Sequence, residues 1–153
     1  MDFFEEGKKE NELKIPYSIE AEEALLGSIF IKPDVISDVI EIVSPYDFYK
    51  NNYRIIFSEM LKAYNVGKIV DTLVIINSLE TQNLIDEIGG TDIIFDLIEV
   101  VPTAANAVNY AQIIKENSIR SQLIDTGEKI TRMSYRGYDE VDTMLDKAES
   151  MIF

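Results

Sequence analysis

The chain has no cysteine and no histidine among its 153 residues. Without cysteine there is no disulfide and no thiolate metal site, which agrees with a cytoplasmic setting. Without histidine there is no imidazole base and no histidine ligand. Nucleotide binding by a P-loop needs a glycine five positions before a Gly-Lys pair, and Ser or Thr after it. The Gly-Lys pairs are Gly7–Lys8 and Gly67–Lys68, and neither meets either condition. No apolar run is long and pure enough for a membrane span, and "MDFFEEGKKENELK" at the N-terminus lacks the apolar region of a signal peptide. Basic residues are scarce: 14 Lys and Arg face 28 Asp and Glu, a formal charge of -14. Such a surface repels phosphate backbones, so weak or no direct nucleic-acid binding is expected.

What remains is a hydrophobic fraction of 46%, enough for one globular domain with a real core. Residues 1–14 read as a flexible charged tail. In "PYSIEAEEALLGSIF", residues 16–30, Pro16 stops any upstream helix and Ser18 is placed to cap the next one. Glu20, Glu22 and Glu23 fall in its first turns, where carboxylates face the positive end of the helix dipole. That role is far commoner than a metal or acid–base site. Ala21, Leu25, Leu26, Ile29 and Phe30 supply a wide apolar face, and Gly27 admits a close helix neighbour.

The first helix is expected over about 18–31 and a second over about 34–43, ended by Ser44–Pro45. An aromatic connection, "YDFYKNNY", leads to a third helix over about 52–64, with Ile55, Ile56, Met60, Leu61 and Tyr64 on one side and Gly67 closing it. Asp71 is the expected cap of a fourth, with Leu73, Ile76 and Leu79 at helical spacing. Gly89–Gly90 marks a sharp turn before a fifth helix over about 92–101. The β-branched runs "IFI", "LVII" and "IIFDLI" favour strands, but they lack period-2 alternation and are bracketed by caps at helix length. The expected fold class is all-α.

From Ala104 to about Met133 there is no proline and one glycine, Gly127. A single long helix is expected there, its start carrying Val108, Ala111 and Ile114 onto the head. Ile119, Leu123, Thr126, Ile130 and Met133 follow at spacings of 4, 3, 4 and 3, a heptad seam. "SYRGYD" reads as a turn with Gly137 in the left-handed region, and Asp139 as the cap of a last helix. That helix has the stripe Val141, Met144, Leu145, Ala148, Met151 and Ile152. The two make an antiparallel helical hairpin whose remaining apolar surface calls for a partner, an identical hairpin being the simplest. The expected division is a compact helical head, 15–102, and a hairpin, 103–153. Leu25, Leu26, Gly27, Ile29, Phe48, Ile56 and Phe57 are the expected core. Ile119, Leu123, Ile130, Met133, Val141, Met144, Leu145 and Ala148 are the expected self-association residues.

No catalytic constellation emerges. Asp142 and Asp146 stand at i and i+4, as two carboxylates on a solvated helix face commonly do; hard-cation sites recruit more oxygens. "SLETQNLIDEIGG" has a helix-turn-helix outline but no basic recognition helix.

The opening stretch resembles the N-terminal domain of DnaB-type replicative DNA helicases, through Pro16, Ser18, Glu20, Ala21, Glu22, Leu25, Leu26 and Gly27. The resemblance continues in order through Asp47, Phe48 and Tyr49, then Ile56 and Phe57, then "VGKIVD" ending at Asp71, then Gly89 and Gly90. "PTAANAVNYAQII" carries Pro102, Ala105, Asn106 and Tyr110, Arg120 follows, and "MLDKAESMIF" closes it. Tyr53 stands where the family often has His, and Ile93 where it often has an aromatic.

The resemblance implies a collar domain that pairs through its hairpins into a trimer of dimers and docks primase, with a helicase loader as a further candidate partner. ATP and Mg2+ would belong to a motor that this chain, ending at Phe153, does not contain, so no cofactor, metal or catalysis is expected of it. The alternatives are a stand-alone helical adaptor copying this domain, or a carboxylate- and metal-dependent helical hydrolase.

Overall fold

A computed structural model describes residues 14–137 and 139–153. The expected tail, apart from Lys14, lies outside the described residues, as does Tyr138 of the expected turn. Every regular element among the described residues is helical. Among the described residues eight α-helices follow one another: α1 (Ile19–Ile31), α2 (Ile36–Val39), α3 (Asn51–Asn65), α4 (Thr72–Thr81), α5 (Ile85–Ile88), α6 (Asp92–Glu99), α7 (Ala107–Arg136) and α8 (Val141–Ile152). Short 3-10 turns occupy Pro33–Val35 and Pro45–Asp47. The chain divides into two compact units, Tyr17–Ser118 and a second that takes Ile119–Phe153, so α7 belongs in part to each.

In the first unit α1 is the central helix. Ser18 caps it by accepting the Ala21 amide at 3.1 Å. Ala21, Leu25, Leu26, Ile29 and Phe30 are buried in the core with Phe48, Ile56, Phe57 and Met60. The Phe48 and Phe57 rings meet at 5.0 Å, tilted by 34°. Gly27 lies against the backbone of α6, so close that a Cβ there would overlap the Leu97 carbonyl. The missing side chain is what lets the two helices touch.

Asp71 caps α4 by accepting the Val74 amide at 2.9 Å. Gly89, at φ 103°, ends α5 in the left-handed region, where a side chain would be strained. Ala107, Ala111 and Ile114 of α7 are buried in the core; Val108 beside them is exposed.

Several details differ from expectation. The second helix is not a run over 34–43 but a 3-10 turn followed by the four residues of α2. Its β-branched sequence propagates a helix poorly, and the amides of Ile42 and Val43 both turn back to the Val39 carbonyl. On α3 the buried face is Tyr53, Ile56, Phe57, Met60 and Ala63, while Tyr64 is exposed. On α4 Ile75 and Leu79 are buried and Leu73 is exposed. Four consecutive apolar residues, Leu73 to Ile76, allow either stripe, and packing against the rest of the unit selects one. The sequence reading also passed over α5.

The second unit is an antiparallel helical hairpin, the end of α7 turning at Gly137 (φ 62°) into α8. Asp139 is not the cap of α8. Glu140 holds that position without a side-chain bond, and Asp139 Oδ2 instead accepts from Lys147 Nζ at 2.6 Å. A full charge eight residues along the chain competes better for the carboxylate than a free amide does.

Candidate interaction surface

Three carboxylates are buried in the first unit, and each is spent on structure. Glu22 of α1 accepts the Tyr49 amide at Oε2 (2.9 Å) and the Lys50 amide at Oε1 (3.2 Å), at the start of α3. Burial pushes its carboxyl above the usual range, against the two amides and the charges of Arg54 and Lys50. Asp47 accepts the Ser44 amide (2.8 Å), the Ser118 hydroxyl (2.7 Å) and Lys115 Nζ (3.3 Å). Burial raises this carboxyl too, but the donors outweigh it and hold it below the usual value. Glu59 receives Lys62 Nζ (2.9 Å), the Ser78 hydroxyl (2.6 Å) and Gln82 Nε2 (2.8 Å), and these likewise outweigh burial.

No buried side-chain polar atom among the described residues lacks a hydrogen-bond partner. Buried charges in that condition fix geometry rather than await a substrate. Nor does any group of three or more Asp and Glu among the described residues offer a cation site.

The sequence reading placed Glu22 with the dipole-facing carboxylates and did not single out Glu59. A signal for both was present. Leu25, Leu26 and Ile29 lie three, four and seven residues after Glu22, and Ile56 and Ala63 flank Glu59 at three and four. Each glutamate therefore shares the helix face that is buried.

An apolar surface unexplained by packing within its unit lies on the hairpin, besides single exposed apolar residues of the first unit such as Leu73, Val66 and Ile69. Ile130 and Met133 of α7 and Met144 and Ala148 of α8 are half-buried. Leu123 is 59% exposed, Val141 67% and Leu145 62%; Ile119, Met151 and Ile152 are exposed as well. A two-helix unit covers the inner side of each helix only in part, and the exposed residues are the ones it leaves over. Leu25, Leu26, Gly27, Ile29, Phe48, Ile56 and Phe57 all lie buried in the first unit. No helix among the described residues is long and apolar enough to cross a membrane.

Comparison with known proteins gives a consistent picture. The family model described as the DnaB-like helicase N terminal domain matches residues 14–116. The chain is 39% identical over 137 residues to the replicative DNA helicase DnaB of Geobacillus stearothermophilus, and 38% identical to the replicative DNA helicase DnaC of Bacillus subtilis. Those matches cover 90% of this chain and 30% of each relative, so the chain spans under a third of their length. The crystal structure of the N-terminal domain of DnaB helicase from Mycobacterium tuberculosis superposes with a TM-score of 0.87 at 31% identity, covering 91% of this chain and 98% of that one. A DnaB-like replicative helicase whose structure is described with its interactions with primase shares the fold, with a TM-score of 0.72 at 20% identity over 88% of this chain and 31% of its own. The chain belongs to the DnaB-like helicase N-terminal domain family.

Proposed function

We propose that this chain is the self-assembly domain of a replicative DNA helicase and the platform on which primase docks. The observation that carries the first part is the row Ile119, Leu123, Val141 and Leu145, exposed on the hairpin of a chain in this family. Burying a leucine fully contributes about 1.5–3 kcal/mol, so several such residues covered by a second hairpin drive pairing. In this reading 15–102 is the head and 103–153 the pairing hairpin. Ile130, Met133, Met144 and Ala148 close the inside of each hairpin and Leu123, Val141 and Leu145 meet the second copy. Pairs then assemble as a trimer of dimers in the whole helicase. ATP and Mg2+ act elsewhere in that protein, DNA contact falls mainly outside this acidic domain, and the setting is the cytoplasm. The primase part is supported by the fold shared with the helicase described with primase.

Sedimentation at tens of micromolar tests it, with Leu123→Glu/Leu145→Glu as the variant. Both positions are exposed, so the fold should survive, but a carboxylate in a desolvated seam is strongly unfavourable. At high salt the wild type is expected as a dimer, and the variant as a helical monomer with weakened primase binding. A monomeric wild type, or a variant that still pairs, overturns the seam. Undiminished primase binding by the monomeric variant overturns docking on the paired form.

A further inference from the structure

Between Lys68 and Lys115 the chain has no Lys or Arg and seven Asp and Glu. Three of those seven lie on α6 in one outward stripe: Asp92, Asp96 and Glu99, at i, i+4 and i+7, all exposed. Phe95, at i+3 of the same stripe, is 51% exposed, on the side of the helix opposite the buried Ile94 and Leu97. The last two turns of α7, Lys129 to Arg136, reverse this composition, with three basic residues and no acid. There Arg132, Tyr135 and Arg136 are exposed at i, i+3 and i+4, and Tyr135 is 88% exposed. The two stripes therefore share one spacing, charge–x–x–aromatic–charge, with opposite signs. Lys129, Arg132, Met133, Arg136 and Asp139 also line a cleft of ≈ 330 Å³ in the hairpin unit.

Basic residues at a helix C-terminus and an aspartate in a first turn complement the helix dipole. That accounts for the charges taken singly. It does not account for an exposed aromatic at the matching place in each stripe. Nor do the charges pair among the described residues: none of Asp92, Asp96, Glu99, Arg132 and Arg136 takes part in the ion pairs formed there.

We propose that the α6 stripe Asp92–Phe95–Asp96–Glu99 of one copy docks the α7 stripe Arg132–Tyr135–Arg136 of a second copy, as a contact distinct from the apolar hairpin seam. The occupant is a second copy because the chain itself carries the complementary stripe. The aromatics supply desolvated area, and the charges set register and choice of face. Each copy has both stripes, so the contact is heterologous and propagates from pair to pair. It deepens the assembly role proposed above and rests on it. Exposed pairs are screened by salt, so the contact weakens as ionic strength rises.

A charge-swap complementation tests it. Asp96→Lys/Glu99→Lys makes the α6 stripe basic, and Arg132→Glu/Arg136→Glu makes the α7 stripe acidic. Asp34→Lys/Asp38→Lys, on exposed residues elsewhere, is the control for net charge. Circular dichroism confirms that each is folded, and sedimentation is run at low and high salt. At low salt the wild type and the control are expected to form species larger than the hairpin pair. Each swapped variant alone should stop at the pair, and an equimolar mixture of the two should recover the larger species. A control that loses association equally, swapped variants that behave as the wild type, or a mixture that gains nothing overturns the proposal. Failure of the seam reads differently: Leu123→Glu/Leu145→Glu would then leave the high-salt state unchanged, while complementation at low salt persisted.

Discussion

Glu22 and Tyr49 are joined by a 2.9 Å hydrogen bond across 27 residues of chain, the Tyr49 amide donating to the glutamate of α1. The Lys50 amide takes the other carboxylate oxygen at 3.2 Å. One buried side chain thus satisfies two free amides at the start of α3 and joins that start to α1. Glu22→Ala leaves both part-buried amides without this acceptor, at up to about 1–3 kcal/mol each. Removing a desolvated charge returns part of that, since burial already pushes this carboxyl up. The expected net loss is about 1–3 kcal/mol, a fall in Tm of several degrees by thermal denaturation. An unchanged Tm would show that these bonds contribute nothing.

Gly27→Ala tests the contact of α1 with α6. A Cβ at Gly27 would fall inside 3.0 Å of the Leu97 backbone carbonyl, which cannot swing aside as a side-chain end could. Alanine is intrinsically better in a helix by about 1 kcal/mol, so the sign of the result separates propensity from packing. Packing is expected to win, with a loss of about 1–3 kcal/mol or more measured by urea denaturation. A stabilised variant would mean that the helices do not approach this closely.

Asp47 makes stability depend on pH. Its carboxyl is held below the usual value near 4 in the folded chain. Folding therefore gains from its ionisation above the unfolded value, and the gain is lost as pH falls through the folded one. The wild type should exceed Asp47→Asn by most at neutral pH, with the difference shrinking below about pH 4. Urea midpoints across that range measure it. A constant difference would locate the effect in packing rather than in charge.

Tyr53 acts at the other end of the scale. Burial, then the charge and hydrogen bonding of Glu23, push its hydroxyl up to about 12. The folded state therefore favours the neutral phenol. This contribution is complete below the ordinary value near 10 and disappears as pH rises through about 12. Relative to Tyr53→Phe, the wild type should lose stability progressively over that interval. Absorbance titration of both proteins should show one late-titrating tyrosine missing in the variant. If the two proteins titrate alike at high pH, Tyr53 ionises as an exposed tyrosine does.

The helices were legible where local chemistry decides them. Ser18 and Asp71 cap because a short polar side chain reaches its own helix's free amides, a matter of three residues. Gly27 announced a close approach because a glycine inside a helix is otherwise unfavourable. The long α7 was visible in a run without proline, and its turn into α8 in Gly137. The helix over 34–43 was misread because apolar periodicity survives where β-branched backbone does not propagate a helix.

What the sequence by itself determined is the class of structure: an acidic, all-helical chain with its caps, its one long helix and a family signature spread over most of its length. Those features depend on neighbours within one or two turns. The tertiary structure decided which side of each helix is inside. Leu73 and Ile75 are equally apolar, yet one is exposed and the other buried. Glu20, Glu22 and Glu23 look alike in the sequence, yet Glu22 is the one that turns inward to Tyr49 and Lys50. The physical reason is range. A cap bonds within its own helix, whereas burial and the partner of a buried carboxylate depend on residues brought together from tens of positions away.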